Sequence, residues 1–577
     1  MESSPKRLGG FPQARRFRRG SSLAAAAALA AVLPMGRAWA QPVSDLPRHS
    51  ASAEVSILGV DVVVTDRDGR PVHGLSAADF EVLHGGRAVA VTNFHEERGL
   101  GPAPPPAGPE GGSPVTSSPE SGPATRLPRR VVVFVDRLFL PDPDRRVQVF
   151  GELKAFLARS LGPGDEAMLV SWGDSVRVVH SFTGDVEDLG RTVDAIARRA
   201  ARLGTEAAEL DELAARDFWF RSAAGESGKS ASADAGARDL SREVSVQQAY
   251  NEMKAKTTAL RGLVALMAGM EGRKSLVVVA HHFGRYPGRE YYVGPRGAPT
   301  EMPRERDARP LLEELSAAAN ASGVTLYGIY PYDGVAMPSA ADAAVQNPGT
   351  KSGAWGAGFD EIWTNEMAGL DFVTGKTGGA TAGHPGQLPR FLEQVTADLG
   401  SFYSIGFPAT GGTRPASVKV RVRQPGLRVR TRATVAERTV EERLNDRALA
   451  NLFAPDGRSS IAISVVAGEA QPKGKKYRIP IEVRIPVGSL VRLPGPGSSH
   501  GRFSVFVVAA TPNGDFSEVT RQRQAFEVRP EEEREGSSHL TYALEVLSDA
   551  PAPRISLGVW DEVGGEAGFA LVGPRKS

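Results

Sequence analysis

"VVVFVDRLFLPDPDRR", residues 131–146, decides the fold. An apolar run rich in β-branched residues, Val131 to Val135, stops at Asp136. Two prolines then lead into a segment with Val147, Phe150, Leu153, Phe156 and Leu157 at helical spacing. A run apolar on both faces, followed directly by a helix, reads as a strand buried within a sheet. The pattern recurs downstream. "AMLVSW" (167–172) and "VRVVHSF" (176–182) read as an antiparallel hairpin, followed by a helix over 187–202. A long helix over about 239–270 sets Leu240, Val244, Met253, Leu260, Leu263, Val264 and Met267 on one side. Strands "SLVVVA" (275–280) and "VTLYGIY" (324–330) flank a helix at 309–322. A Gly-rich turn, "TGKTGGATAG", precedes a helix at 388–399. Such alternation predicts an α/β domain over 129–400 with a doubly wound, mainly parallel sheet. Ligands bind at the carboxyl ends of strands in such sheets. Asp136, at such an end, is a natural ligand for a hard cation.

The rest of the chain sets the context. At 577 residues, 41% hydrophobic and 24% charged, it is long enough for about three domains. Its first 40 residues read as a signal peptide. Lys6, Arg7, Arg15, Arg16, Arg18 and Arg19 form a basic region, Leu23 to Leu33 a short apolar core, and Ala38-Trp39-Ala40 a cleavage site. The apolar core is shorter than the ~20 residues that span a bilayer, so no stable membrane insertion is expected after cleavage. No Cys follows it to carry a lipid, and the chain has no disulfides. The paired arginines resemble a twin-arginine signal, whose flanking residues they fit poorly, so the export route stays open. Removing residues 1–40 takes seven Lys/Arg and one Glu from totals of 69 and 67, leaving 62 basic and 66 acidic residues. The formal charge becomes −4, and no global case for nucleic-acid binding remains. The chain is expected to be exported, either periplasmic or secreted.

On either side of the α/β domain the texture is that of strands. Residues 55–98 carry two hairpin patterns, turning at Asp68-Gly69 and Gly85-Gly86. Residues 99–128 are rich in Pro, Gly and Ser and read as a disordered linker. Strands return over 401–436, a helical connector spans 437–458, and 459–577 read as a C-terminal β-sandwich. The strands of 55–98 and 401–436 each have an apolar face that their own segment cannot cover. Burying the two faces together predicts one β-sandwich with the α/β domain inserted into it. Its expected interior is Val62, Val64, Phe80, Val82, Phe94, Tyr403, Ile405, Val420 and Val422, or their neighbours in the alternate register.

Three stretches, in order, resemble a known family: "VDVVVTDRDGRPVHGLSAADFEV", "PGDEAMLVSWGDSVRVVHSF", and "LDFVTGKTGGATAGHPGQLPRFLEQVTADLGSFYSIGF" running into "PGLRVRTRATV". The α/β part resembles a von Willebrand factor type A (VWA) domain, which is Rossmann-like. Residues 60–435 as a whole resemble the bacterial exported VWFA-related family. The resemblance implies binding of another protein rather than catalysis. It also implies a metal-ion-dependent adhesion motif: D-x-S-x-S after the first strand, a later Thr, and an Asp after the fourth strand. Asp136 matches the first position and Thr205 the Thr. Leu138 and Leu140 replace both serines, and His281-His282 stand where the last Asp belongs. Leucine cannot coordinate Mg²⁺, and imidazole is softer than that ion prefers. The motif is degenerate, and weak or no Mg²⁺ binding is expected, with no other cofactor.

Asp142 or Asp144 could join Asp136 at a metal, and His281 or His282 could recruit Zn²⁺ or another transition metal; the other reading has an Asp capping the helix that follows and the His pair as polar strand-end residues. Asp142 and Asp144, with His281 and His282, form the expected partner-binding face. The resulting expectation is a non-catalytic exported protein that mediates protein–protein contact or adhesion at the cell envelope. The alternative is a metal-assisted hydrolase built on Asp136, Asp142 and His281/His282. Other motifs are weaker. "DRDG" lacks the later ligands of a calcium loop. "GSSHG" (497–501) lacks the strand and helix of a nucleophile elbow and reads as a loop. "GESGKS" (225–230) lacks the first Gly of a phosphate loop. The loop at 291–307, with its Tyr and Arg residues, reads equally as a contact surface or an insertion. The basic "VKVRVRQPGLRVRTR" reads as the solvated face of an edge strand.

Overall fold

The computed structural model of the chain describes residues 33–34, 57–98, 128–136, 143–173, 175–200, 231–292, 306–331, 353–409, 414–455, 459–511, 516–529 and 539–573. Apart from Leu33–Pro34, which pairs with Leu544 and Glu545, the expected signal peptide lies outside these residues. So do the 99–127 part of the expected linker, the "GESGKS" motif and most of the 291–307 loop.

After the two-residue strand Leu33–Pro34, the chain forms β1 (Ile57–Thr65), β2 (Phe80–His84), β3 (Arg87–Val89) and β4 (Asn93–Glu97). The α/β portion then runs β5 (Arg129–Asp136), α1 (Pro143–Ser160), β6 (Glu166–Trp172), β7 (Val176–Thr183), α2 (186–200) and α3 (Ala231–Ala268). It continues through β8 (Arg273–Val279), α4 (Arg309–Ser322), β9 (Val324–Ile329), α5 (Gly353–Thr377), β10 (Thr381–Ala382) and α6 (Leu388–Gly400). The sheet order is β10-β9-β8-β5-β6-β7. Every pairing in it is parallel except β6 with β7, so this is a mixed, mainly parallel sheet. β5 lies at its centre, and Val131 to Val135 are all buried. Alternate residues feed two cores. Val132 and Phe134 face α3 and α4, while Val131, Val133 and Val135 face α1 and α6.

Two helical faces differ from expectation. Val147 and Val244 are exposed, at 74% and 59%. At 100° per residue, Val147 falls outside the arc that holds Val149, Phe150, Leu153, Phe156 and Leu157, and Val244 lies opposite Met253, Leu260 and Val264. Helix α5 was not foreseen at all. Gly353, Gly356, Gly358, Gly369 and Gly375 lower its helix propensity, and the expected Gly-rich turn is its last turn plus β10.

After α6 come β11 (Phe402–Pro408), β12 (Ala416–Val422), β13 (Arg428–Arg430) and β14 (Thr434–Val435). β11 pairs antiparallel with β1, Tyr403 opposite Val62 and Ile405 opposite Val60, giving the sheet β13-β1-β11-β4. β12 pairs with β2, Val420 opposite Val82, giving β14-β12-β2-β3. One apolar core is shared by Val62, Val64, Phe80, Val82, Tyr403, Ile405 and Val420, with Phe94 and Val422 at its margin. β12 is therefore an interior strand rather than an edge. Two arginines of the basic stretch are also structural rather than solvated: Arg430 grips buried Asp398 at 2.6 and 2.7 Å, and Arg432 donates to the Asn320 carbonyl.

Helix α7 (Val440–Asn451) begins at Thr439, whose hydroxyl accepts from the Glu442 N–H while the Glu442 carboxylate accepts from the Thr439 N–H. Its Leu444, Ala448 and Leu449 join the core of α3 on one side and Phe506 and Val508 on the other. The tail forms β15 (Ser464–Ala467), β16 (Gln471–Lys473), β17 (Lys476–Pro486), β18 (Leu493–Gly495), β19 (Ser498–Ala510), β20 (Thr520–Val528), β21 (His539–Ser548), β22 (Arg554–Asp561) and β23 (Ala567–Val572). Two antiparallel sheets, one centred on β17 and the other on β19, enclose a core that includes Ile481, Val505, Val546 and Leu557. "GSSHG" enters β19 with no helix after it, so it is a turn and strand rather than a loop.

Candidate functional site

The carboxyl ends of β5, β8 and β9 meet at one spot. β5 delivers Asp136, which is 2% exposed. β8 runs through Ala280, whose N–H donates to the Ile329 carbonyl of β9, into His281 and His282. Beyond β9, the ring of Tyr330 stacks on His281 with centroids 5.3 Å apart.

Asp136 meets an ammonium. Lys256 Nζ, on α3, lies 2.6 Å from Asp136 Oδ2, and neither side chain has appreciable contact with solvent. The same Nζ donates to the His281 carbonyl at 2.8 Å and lies 3.4 Å from Glu252 one turn earlier. Burial pushes the Lys256 pKa down, but Asp136, Glu252 and Glu366 outweigh it, and the net direction is up. Lys256 is therefore a fixed cation at the strand end.

Glu366, 3% exposed, comes from α5 and accepts the Phe283 N–H at 2.9 Å. Its neighbour Asn365 clamps the same loop, accepting the Tyr286 N–H at 2.8 Å and donating to the Tyr286 carbonyl at 3.1 Å. This contact requires glycine: a Cβ on Gly369 would sit 1.7 Å from the Phe283 carbonyl oxygen. Ligand atoms of His281, His282 and Glu366 all lie within 4.8 Å of one another, the one such set of potential metal ligands among the described residues. Burial drives the His281 pKa well below its usual value, helped by His282 and Lys256. Burial, with Lys256, drives that of His282 down to about 3. Both imidazoles are neutral at physiological pH.

Of the residues singled out from sequence, Asp136, His281 and His282 gather here. Asp142 and Thr205 lie outside the described residues, as do Leu138 and Leu140, and Asp144 is described only as backbone in α1. Sequence reading missed Lys256 and Glu366. Lys256 had left a signal, since it falls on the apolar stripe of α3 at Met253, Lys256, Leu260, Leu263 and Met267, where a charge must find a partner. Glu366 had left none, because its helix was not placed.

No family model matches the chain, and no curated protein matches it. Solved structures give only distant likenesses. Proximal thread matrix protein 1 from the mussel byssus is 10% identical, with 49% of this chain and 47% of that one covered and a TM-score of 0.21. The vWF domain of the type V pili tip protein Mfa5 from Porphyromonas gingivalis is 13% identical, with 47% of this chain and 95% of that one covered and a TM-score of 0.18. The human COPII-coat protein Sec24c is 9% identical, with 56% and 45% covered and a TM-score of 0.24. The chain thus spans about half the length of the mussel protein (47%). Likenesses this distant carry no argument about function. Among the described residues, no helix is long and apolar enough to cross a membrane.

Proposed function

We propose that the chain is an exported, non-catalytic binding protein of VWA type, which holds another protein at the cell envelope without using Mg²⁺. In this reading the α/β domain is inserted into the N-terminal sandwich, and the strand-end face of its sheet is the contact surface. The observation that carries the reading is the buried ion pair of Asp136 and Lys256 at 2.6 Å. A metal-dependent A domain uses that Asp to hold Mg²⁺, with one position left for a partner's carboxylate. Here a covalently tethered ammonium neutralises the Asp, and Mg²⁺ would have to displace it. The same pairing speaks against the hydrolase alternative, because Asp136 is committed as a counter-ion instead of serving as a metal ligand or base.

The test is crosslinking capture from envelope extract, with the exported chain immobilised in buffer with Mg²⁺ or in Mg²⁺-free buffer without chelator. One partner recovered equally in both is the expected result. Retention that demands Mg²⁺ would overturn the proposal, and so would an ester- or phosphate-cleaving activity that disappears in Asp136→Asn.

A further inference from the structure

We infer that His281, His282 and Glu366 form a three-ligand site for a borderline divalent transition metal, Zn²⁺ being the best match. The inference does not rest on the binding role proposed above. Consecutive residues of an extended chain point their side chains to opposite sides. Here two consecutive histidines point to the same place, because His282 takes a φ of 49°, the one positive value at a non-glycine residue among those described. The rings lie edge to face with centroids 4.1 Å apart. A residue other than glycine held in this region is strained, and such strain gathers at functional sites.

The third ligand arrives from a different element and is fixed before any ion binds. The Phe283 N–H orients one Glu366 oxygen, in the way outer groups orient a metal ligand. Asn365 holds the loop against the helix, and Gly369 lets the two backbones meet.

Two imidazoles and a carboxylate suit Zn²⁺ rather than Mg²⁺ or Ca²⁺, which prefer oxygen alone. Bonds of about 2.0–2.2 Å need ligand atoms closer together than the 4.8 Å that bounds the present set, so the two imidazoles must turn in towards the fixed Glu366. Three protein ligands leave a fourth position for water. The bound ion would tie the 281–286 loop to α5 at the strand-end face.

The test uses the full exported chain, stripped with chelator and dialysed against Zn²⁺ or Co²⁺. The expected result is one ion per chain, a tetrahedral Co²⁺ spectrum, and a melting temperature raised by Zn²⁺. Glu366→Gln, which keeps an acceptor for the Phe283 N–H, should weaken Zn²⁺ binding by about tenfold or more. His282→Gly should abolish it while the chain still folds, because glycine suits the backbone at that position. His500→Gln, in the C-terminal sheets, serves as the control and should bind as the parent does. Only trace uptake by the parent chain would overturn the inference. Undiminished uptake by folded His282→Gly would do the same, as would equal losses in His500→Gln.

Discussion

The two ends of strand β5 carry buried ion pairs built on different plans. At the amino end, Arg129 meets Asp165 through a fork, Nε at 2.9 Å and a terminal nitrogen at 2.6 Å. The same carboxylate accepts the Arg129 and Gly162 backbone N–H groups, both at 2.9 Å. Charge and directed hydrogen bonds are satisfied together, which is the geometry guanidinium is suited to. At the carboxyl end, Lys256 offers Asp136 a compact point charge and shares it with Glu252 and a carbonyl oxygen. The first pair locks a turn to a strand. The second leaves a charged cluster, with two histidines beside it, at the end of the sheet where ligands bind. Burial alone does not mark a site; the difference lies in how completely each charge is spent on the fold.

The largest expected effect is at the amino end. Asp165→Ala should cost about 3–5 kcal/mol, because it leaves a buried guanidinium unpaired and two backbone donors without an acceptor. Urea unfolding measures this directly, and a loss below about 1 kcal/mol would show that the pair is not what holds the turn.

Lys256→Met should cost about 3 kcal/mol by itself, since Asp136 is left charged in a dry setting. Adding Asp136→Asn should restore much of that stability, because the buried carboxylate goes with the ammonium while Glu252, 30% exposed, can turn to solvent. The equivalent double change, Arg129→Met with Asp165→Asn, should recover much less. Asn has one side-chain acceptor where Asp165 uses two oxygens for backbone donors. Equal recovery by the two doubles would break the comparison.

Gly369→Ala tests the second element of the site. The added Cβ would land on the Phe283 carbonyl, so helix and loop must part, at about 1–3 kcal/mol. Hydrogen exchange should quicken at residues 281–286 and stay unchanged at the amino end of β5. Uniform quickening across the sheet would mean that the loop is not an independent unit.

How much of this was legible follows from where each signal is stored. The strands and most helices were readable because burial on two faces leaves continuous β-branched runs, as in Val131 to Val135, and one-sided burial leaves helical spacing. That 55–98 and 401–436 share one core follows from asking what could cover two apolar faces; that β1 pairs with β11 and β2 with β12, so that each sheet mixes strands of both segments, does not. Asp136, His281 and His282 were readable as polar residues at strand ends. Lys256 was readable and was passed over, since a lysine on an apolar stripe is a request for a buried anion. Glu366 was not readable. Its helix is poor in propensity because Gly369 is required by a contact with residues more than 80 positions earlier, and no local pattern records that.

The smallest expected effect lies away from both ends of β5, where the α/β domain meets α7. Burial raises the Asp446 pKa from 3.8 to about 6, against the opposing pull of Arg438, 2.8 Å away, and of Lys274. Burial also lowers the Lys274 pKa to about 8, with Arg432 adding to the effect. For Asp446 the folded state holds its proton more tightly than the unfolded one, so its stabilising contribution is complete below pH 3.8 and is lost as pH rises through about 6. For Lys274 the sign is opposite: stability falls as pH drops from 10.5 through about 8. Near neutral pH both groups are charged at a cost. For Asp446 this corresponds to roughly 3 kcal/mol, and relaxation of the partly exposed Arg438 should reduce it to about 1–2 kcal/mol. Asp446→Asn mimics the protonated form. It should therefore be more stable than the parent at pH 7 and equal to it near pH 4. Urea midpoints at the two pH values decide the matter. A variant less stable than the parent at pH 7 would show that Asp446 is needed as the anion for Arg438 and Lys274, which would make this junction a third buried ion pair of the Arg129–Asp165 kind.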